Sequence, residues 1–196
     1  MSSTSVINFS GNCYEDGACP PSNPGDQMQA VGIVNGIKRP LYWSPSRYSY
    51  TWYVGGLTSL GESVYGTTHV MDYMGGSFEI HVDGLPSNAS YGVNPPNATA
   101  PETFRDGHGL YLKGTFSSFT MLINTATSSG SVVGTLTFTE GNAFPNLTSA
   151  EGWTVAATIF GSEPLGFDAD WNGALFVSGP ASVEDQSWAS VKSLYR

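Results

Sequence analysis

Tyr48-Ser49-Tyr50-Thr51-Trp52 places rings on one side and hydroxyls on the other, and Thr135-Leu136-Thr137-Phe138-Thr139 repeats the arrangement with Leu136 and Phe138. Alternation with a period of two is the signature of a strand with one buried face. Working outward, the same alternation bounded by Gly, Pro, Asn and Asp marks strands at Ser5 to Phe9, Met28 to Val34, Arg47 to Val54, Glu62 to Tyr73, Ser77 to Val82, Gly109 to Phe116, Phe119 to Asn124, Ser131 to Thr139, Trp153 to Phe160 and Ala174 to Ser178. The expectation is an all-β chain, an antiparallel β-sandwich of jelly-roll or Greek-key type with nine to ten strands. Its 196 residues form a single domain. From Ser182 onward the pattern changes. Val183, Trp188, Val191, Leu194 and Tyr195 approximate helical spacing, with acids first and Lys192 and Arg196 last, so residues 180–196 are predicted as a short helix or tail.

Charged residues make up only 12% of the chain, about half the usual share of roughly 25%, so the surface is built from Ser, Thr, Asn, Gly and Tyr. A net charge of −9 repels phosphate backbones and argues against a nucleic-acid partner. No run approaches the roughly 20 apolar residues of a membrane-spanning helix. Met1-Ser2-Ser3-Thr4 leads directly into Val6-Ile7-Asn8-Phe9, as expected where a start residue replaces a removed export signal. Cys13 and Cys19, which enclose five residues including Asp16 and Gly17, suit a disulfide-closed loop in an oxidising compartment.

Three constellations carry candidate chemistry. Gly75-Gly76 reads as a two-residue hairpin turn, which sets Met71, Tyr73, Phe78 and Ile80 on a core face and brings Asp72 opposite Glu79 with His81 on the diagonal. That pair is either an acid/base or metal site or a solvated outer face. Asp168-Ala169-Asp170-Trp171-Asn172-Gly173 presents alternating oxygens at Asp168, Asp170 and Asn172, which fit the opening of a calcium loop or a simple Asn-Gly turn. Tyr42, Trp43, Tyr48, Tyr50 and Trp52 form an aromatic row that either stacks on sugar rings or fills the core. No nucleophile elbow, zinc-protease motif, phosphate loop or dinucleotide fingerprint occurs.

Phe9-Ser10-Gly11-Asn12-Cys13, the run Asp106-Gly107-His108-Gly109-Leu110-Tyr111-Leu112-Lys113-Gly114 leading to Gly130-Ser131-Val132-Val133-Gly134-Thr135-Leu136, and the Trp188-x-x-x-Lys192-x-x-x-Arg196 ending resemble bacterial exported proteins of low charge, including those with C-terminal sorting signals. The chain departs from them in lacking a Pro-Glu-Pro motif after Arg196 and in its wider cysteine spacing. The resemblance implies export and a β-sandwich and carries over no catalytic residue.

Together these features predict a non-catalytic structural or adhesive module, extracellular or on the cell surface. It would assemble into homo-oligomers or filaments through strand edges that lack charged gatekeepers. A carbohydrate-binding module, calcium-dependent through Asp168 to Gly173 and binding a glycan at Tyr42 to Trp52, is the alternative. A glycosidase-like enzyme at Asp72 and Glu79 is the third reading.

Overall fold

In the computed structural model, which describes residues 3–17, 19–87, 89–91, 102–105, 107, 109–161 and 166–178, the alternating segments form one closed antiparallel barrel. Its strands are β1 Ser3–Glu15, β2 Gln27–Ile37, β3 Tyr48–Tyr65, β4 Thr68–Gly84, β5 Gly109–Asn124, β6 Ser129–Glu140, β7 Trp153–Phe160 and β8 Ala169–Ser178. Each pairs with its neighbour in sequence, and β8 closes against β1. A four-residue helix, α1 Glu102–Arg105, lies in the connection from β4 to β5.

The expected sandwich of nine to ten strands is therefore corrected to an eight-stranded barrel, and the reason is local. Gly75 and Gly76 both take positive φ, but within β4 rather than at a turn, and Gly56 of β3 does the same across from them. Two consecutive glycines shift the side-chain parity, so Met71 and Tyr73 before them and Phe78 and Ile80 after them all face inward. The predicted core face is right while the predicted turn is not. The chain reverses instead at Gly66-Thr67, between Tyr65 and Thr68. In the same way Gly109 to Phe116 and Phe119 to Asn124 are one strand with a register shift between Phe116 and Ser118. Every strand has two partners, so the exposed edges expected to drive assembly do not exist. The predicted helix or tail over 180–196 lies outside the described residues.

An eight-stranded barrel is just wide enough for its own side chains to fill, and here they do. Trp52 stacks between Phe78 (5.6 Å, 9°) and Trp171 (6.1 Å, 8°), and Phe9 meets it edge-on at 5.1 Å. The indole comes so close to the wall that β1 and β2 carry a facing glycine pair there. A Cβ on Gly11 would lie 2.4 Å from Trp52, and one on Gly32 2.5 Å. At the end where β1 begins, the 38–47 connection folds Leu41 and Trp43 inward. Trp43 rests on Tyr50 at 4.7 Å, and Tyr111 donates to the Tyr42 carbonyl at 2.6 Å. This end is an aromatic plug.

Outside the barrel a second apolar cluster joins Val31, Phe104 and Phe167, with Tyr14, Tyr53 and Tyr91 against it. Thr51 Oγ1 donates to the Phe104 carbonyl at 2.8 Å, which fastens α1 onto β3.

Candidate functional site

The sequence-predicted residues are scattered by this fold. Tyr50 and Trp52 are inside the barrel, Trp43 is partly buried against Tyr50, and Tyr42 and Tyr48 of the aromatic row are exposed. Asp168 Oδ2 accepts the Glu15 backbone N–H at 2.7 Å. Asp170 and Asn172 stand in β8, paired with β1 on one side and β7 on the other. Alternate residues of an extended strand are about 6.6 Å apart, so β8 spreads Asp170 and Asn172 along its length, and Asp168 precedes the strand. Asn172-Gly173 lies mid-strand, where a Cβ on Gly173 would meet the Ala156 carbonyl at 2.4 Å. Among the described residues no group of three His, Cys, Asp or Glu side chains converges, and no helix is long and apolar enough to cross a membrane.

Asp72 and Glu79 are likewise apart. Seven residues of extended chain separate them by roughly 20 Å, against the 5–9.5 Å or so between glycosidase carboxylates. Asp72 accepts from Thr120 at 2.6 Å. Glu79, on the outer face of β4, is buried at 4% exposure beneath Arg105 (3.1 Å) and beside Lys113 (3.2 Å) and His81 Nε2 (3.1 Å). The His81 hydrogen bond, then Arg105 and Lys113, outweigh burial and hold its carboxyl down at about 2. Arg105 also lies over the Tyr53 ring at 4.8 Å. These contacts pin α1 to the barrel.

Two other places have the shape or chemistry of a site. The first is a trough of about 520 Å³ on the outer face of β6, β7, β8 and β1. Its floor is made of small residues, Ala156, Gly173 and Ala174, flanked by Val133, Phe176 and Asn8, and no charged residue lines it among those described. Nothing from the described loops covers it, and Val133 is 51% exposed.

The second is the barrel end where β1 finishes. Glu15 points inward and is fully buried. Tyr73 Oη donates to its Oε2 at 2.6 Å, and Ser22, from the 16–26 connection, donates to its Oε1. Since Ser22 has one proton and spends it on Glu15, the 2.6 Å contact between Ser22 and Ser59 must be donated by Ser59, which in turn accepts from the Gly61 N–H at 2.9 Å. The carboxyl thus ends a relay that runs from backbone through two hydroxyls. Cys19 closes the same end, its Sγ 3.4 Å from Met71 Sδ and 3.9 Å from Tyr73 Oη. Cys13 and Cys19 are both buried and unbonded in this structure. Burial pushes both thiols up, helped by the charges of Asp168 and Glu15 at Cys13 and by Cys13 itself at Cys19. Beside Cys19 a cavity of about 210 Å³ opens, walled by Pro20, Ile123, Ile159, Phe160 and Asp168.

Neither place is legible from sequence spacing. Met71 and Cys19 are 52 residues apart, and the trough takes residues from both ends of the chain. The one available signal was the run of small residues Ala156-Ala157 and Gly173-Ala174 inside strands, which marks close approach rather than core filling. No protein-family model, no curated protein and no solved structure matches the chain.

Proposed function

We propose that the chain is a non-catalytic structural module of the exported, low-charge kind that associates with copies of itself through the trough on β6, β7, β8 and β1. The observation that carries this reading is the absence of charged side chains among the described residues that line the trough, in a chain whose net charge is −9. Two acidic copies repel each other over most of their surface, and an interface core depleted of charge avoids both the repulsion and the cost of desolvating ions. The small floor residues let a partner's backbone come close, and the Val133 and Phe176 rims of one copy can seat on the floor of the other in a two-fold arrangement.

The size of the face sets the strength. Four strands about 4.8 Å apart, with about eight residues each at roughly 3.3 Å, present a flat area of about 500 Å². That is below the roughly 800 Å² per partner of a standard stable interface. Association is accordingly weak and concentration-dependent. Sedimentation velocity across a wide concentration range tests it: the unmodified chain shifts toward a dimer as concentration rises, while Ala156→Glu, which places like charges face to face, stays monomeric. A chain that remains monomeric throughout, or an Ala156→Glu variant that associates as well as its parent, overturns the reading.

A further inference from the structure

We propose that the cavity beside Cys19 is a binding site for a small organic cation, a primary ammonium carried on a compact apolar body. It shares no lining residue with the trough on the outer face, so it stands independently of any association between copies.

The space follows from an imbalance between the two halves of this barrel end. On β1, β3 and β4 the buried positions carry Glu15, Ser59, Met71 and Tyr73. Tyr73 and Ser22 bond to Glu15, Ser59 bonds to Ser22, and Cys19 meets Met71, so that half is filled. On β5, β7 and β8 the buried positions are Ile123, Ile159 and Ala169, and Ala169 contributes a single methyl group. About 210 Å³ is left between them and the 16–26 connection, which supplies Cys19 and Pro20. A dry cavity of about 150 Å³ already holds benzene, so this one accommodates about eight or nine non-hydrogen atoms.

The lining is graded. Ile123, Ile159 and Ala169 belong to the strands and are buried, whereas Thr125, Ser128 and Asp168 stand just beyond strand ends. An apolar body therefore enters first, and a polar group stays at the rim. Asp168 sets the sign of that group, because it is the one charged residue that lines the cavity among those described. It is positioned before any ligand arrives: its backbone N–H donates to the Cys13 carbonyl at 2.9 Å, and its Oδ2 accepts from the Glu15 N–H at 2.7 Å. Thr125 spends its hydroxyl proton on the Thr67 carbonyl at 3.2 Å, which leaves its oxygen as an acceptor. An ammonium has three donors and no acceptor, so a rim of carboxylate and hydroxyl oxygens suits it. The charge-assisted bond to Asp168 offsets the water the cation gives up. A carboxylate ligand would meet like charge there. A neutral guest of the same shape keeps the apolar contacts and forgoes that bond.

The test uses the full chain with benzylamine and phenethylamine as probes, benzyl alcohol as the neutral counterpart and benzoate as the anion, followed by methyl NMR and titration calorimetry. The amines should bind saturably, one per chain, and shift the Ile123 and Ile159 methyl resonances. Benzyl alcohol should bind about tenfold more weakly, as expected for one charged hydrogen bond at a partly solvated rim, and benzoate should not bind. Asp168→Asn, which keeps an oxygen to accept the Glu15 N–H, should lose about tenfold for the amines and nothing for the alcohol. Ala169→Leu, which fills the cavity, should abolish both, with near-UV circular dichroism confirming that its core is native. The assignment is overturned if the amines leave both methyl resonances unmoved at millimolar concentration. It is equally overturned if benzyl alcohol binds as tightly as benzylamine, or if Asp168→Asn binds the amines as tightly as its parent.

Discussion

The two outer faces of this barrel obey the same strand pattern and meet different fates. On β2, β3 and β4 the outward positions Val31, Thr51 and Glu79 are 0%, 3% and 4% exposed, because α1 and the aromatic rings of Tyr91, Phe104 and Phe167 lie over that side. On β6, β7 and β8 the outward positions Val133, Ala156 and Phe176 have no such cover among the described residues. The covered face spends its charges inward, with Glu79 held by Arg105, Lys113 and His81. The bare face carries hardly any charge at all. Period-two alternation therefore tells which residues leave the barrel interior, and the long connections tell which of those still become buried.

The sharpest way to break the contrast is to strip the cover. Phe104 is 1% exposed and packs at a tilt against Tyr91, 5.2 Å between ring centroids. Phe104→Ala is expected to cost about 3–4 kcal/mol, as large aromatic truncations in packed sites do. For a domain near 200 residues that corresponds to roughly 10 °C in melting temperature. Urea unfolding measures the loss, and hydrogen exchange should show the Thr51 region opening while the interior around Trp52 stays protected. A loss under about 1 kcal/mol would mean that the cover contributes little.

A milder change removes the charge lock and leaves the rings in place. Glu79 titrates at about 2, well below its ordinary 4.5, because His81, Arg105 and Lys113 favour the charged form. Its folded value is depressed, so its contribution is fully present above about pH 4.5 and is lost as pH falls toward 2. Allowing for screening at the half-exposed Arg105, that contribution is about 1–2 kcal/mol. Stability measured from pH 6 down to 2 should therefore decline more steeply for the parent than for Glu79→Gln. Identical slopes would show that the ion cluster is not coupled to folding.

How much of this was visible beforehand follows the same division. Trp153 to Phe160 is predicted and observed with the same ends, because eight residues of strict alternation bounded by glycine leave no second reading. Met71, Tyr73, Phe78 and Ile80 do share the core face, through a bulge in β4 and not through the expected turn. A Gly-Gly pair with positive φ makes either a turn or a bulge, and what decides is Gly56 on the neighbouring strand, about twenty residues upstream. Closure of β8 onto β1 joins the two ends of the barrel, a pairing on which no local pattern bears. The same is true of the thiol end, where a local spacing of two cysteines suggested a small loop and the structure adds Met71 and Tyr73 from a distant strand.

The smallest expected effect on stability belongs to the bare face, and its smallness is what makes it informative. Val133 is 51% exposed, and truncating it to Ser removes little buried area from a single chain, so the unfolding free energy of the dilute protein should move by no more than about 0.5 kcal/mol. If the trough is a contact between copies, the same substitution deletes part of a rim that is buried only in the dimer. The dissociation constant should then rise several-fold while the monomer's stability does not change. Phe104→Ala should do the reverse, lowering stability with no direct effect on association once the folded fraction is accounted for. Measuring unfolding and sedimentation on both variants separates a face that holds the fold together from one that holds copies together. A Val133→Ser variant that loses stability without losing association would place that side chain with the fold and not with the partner.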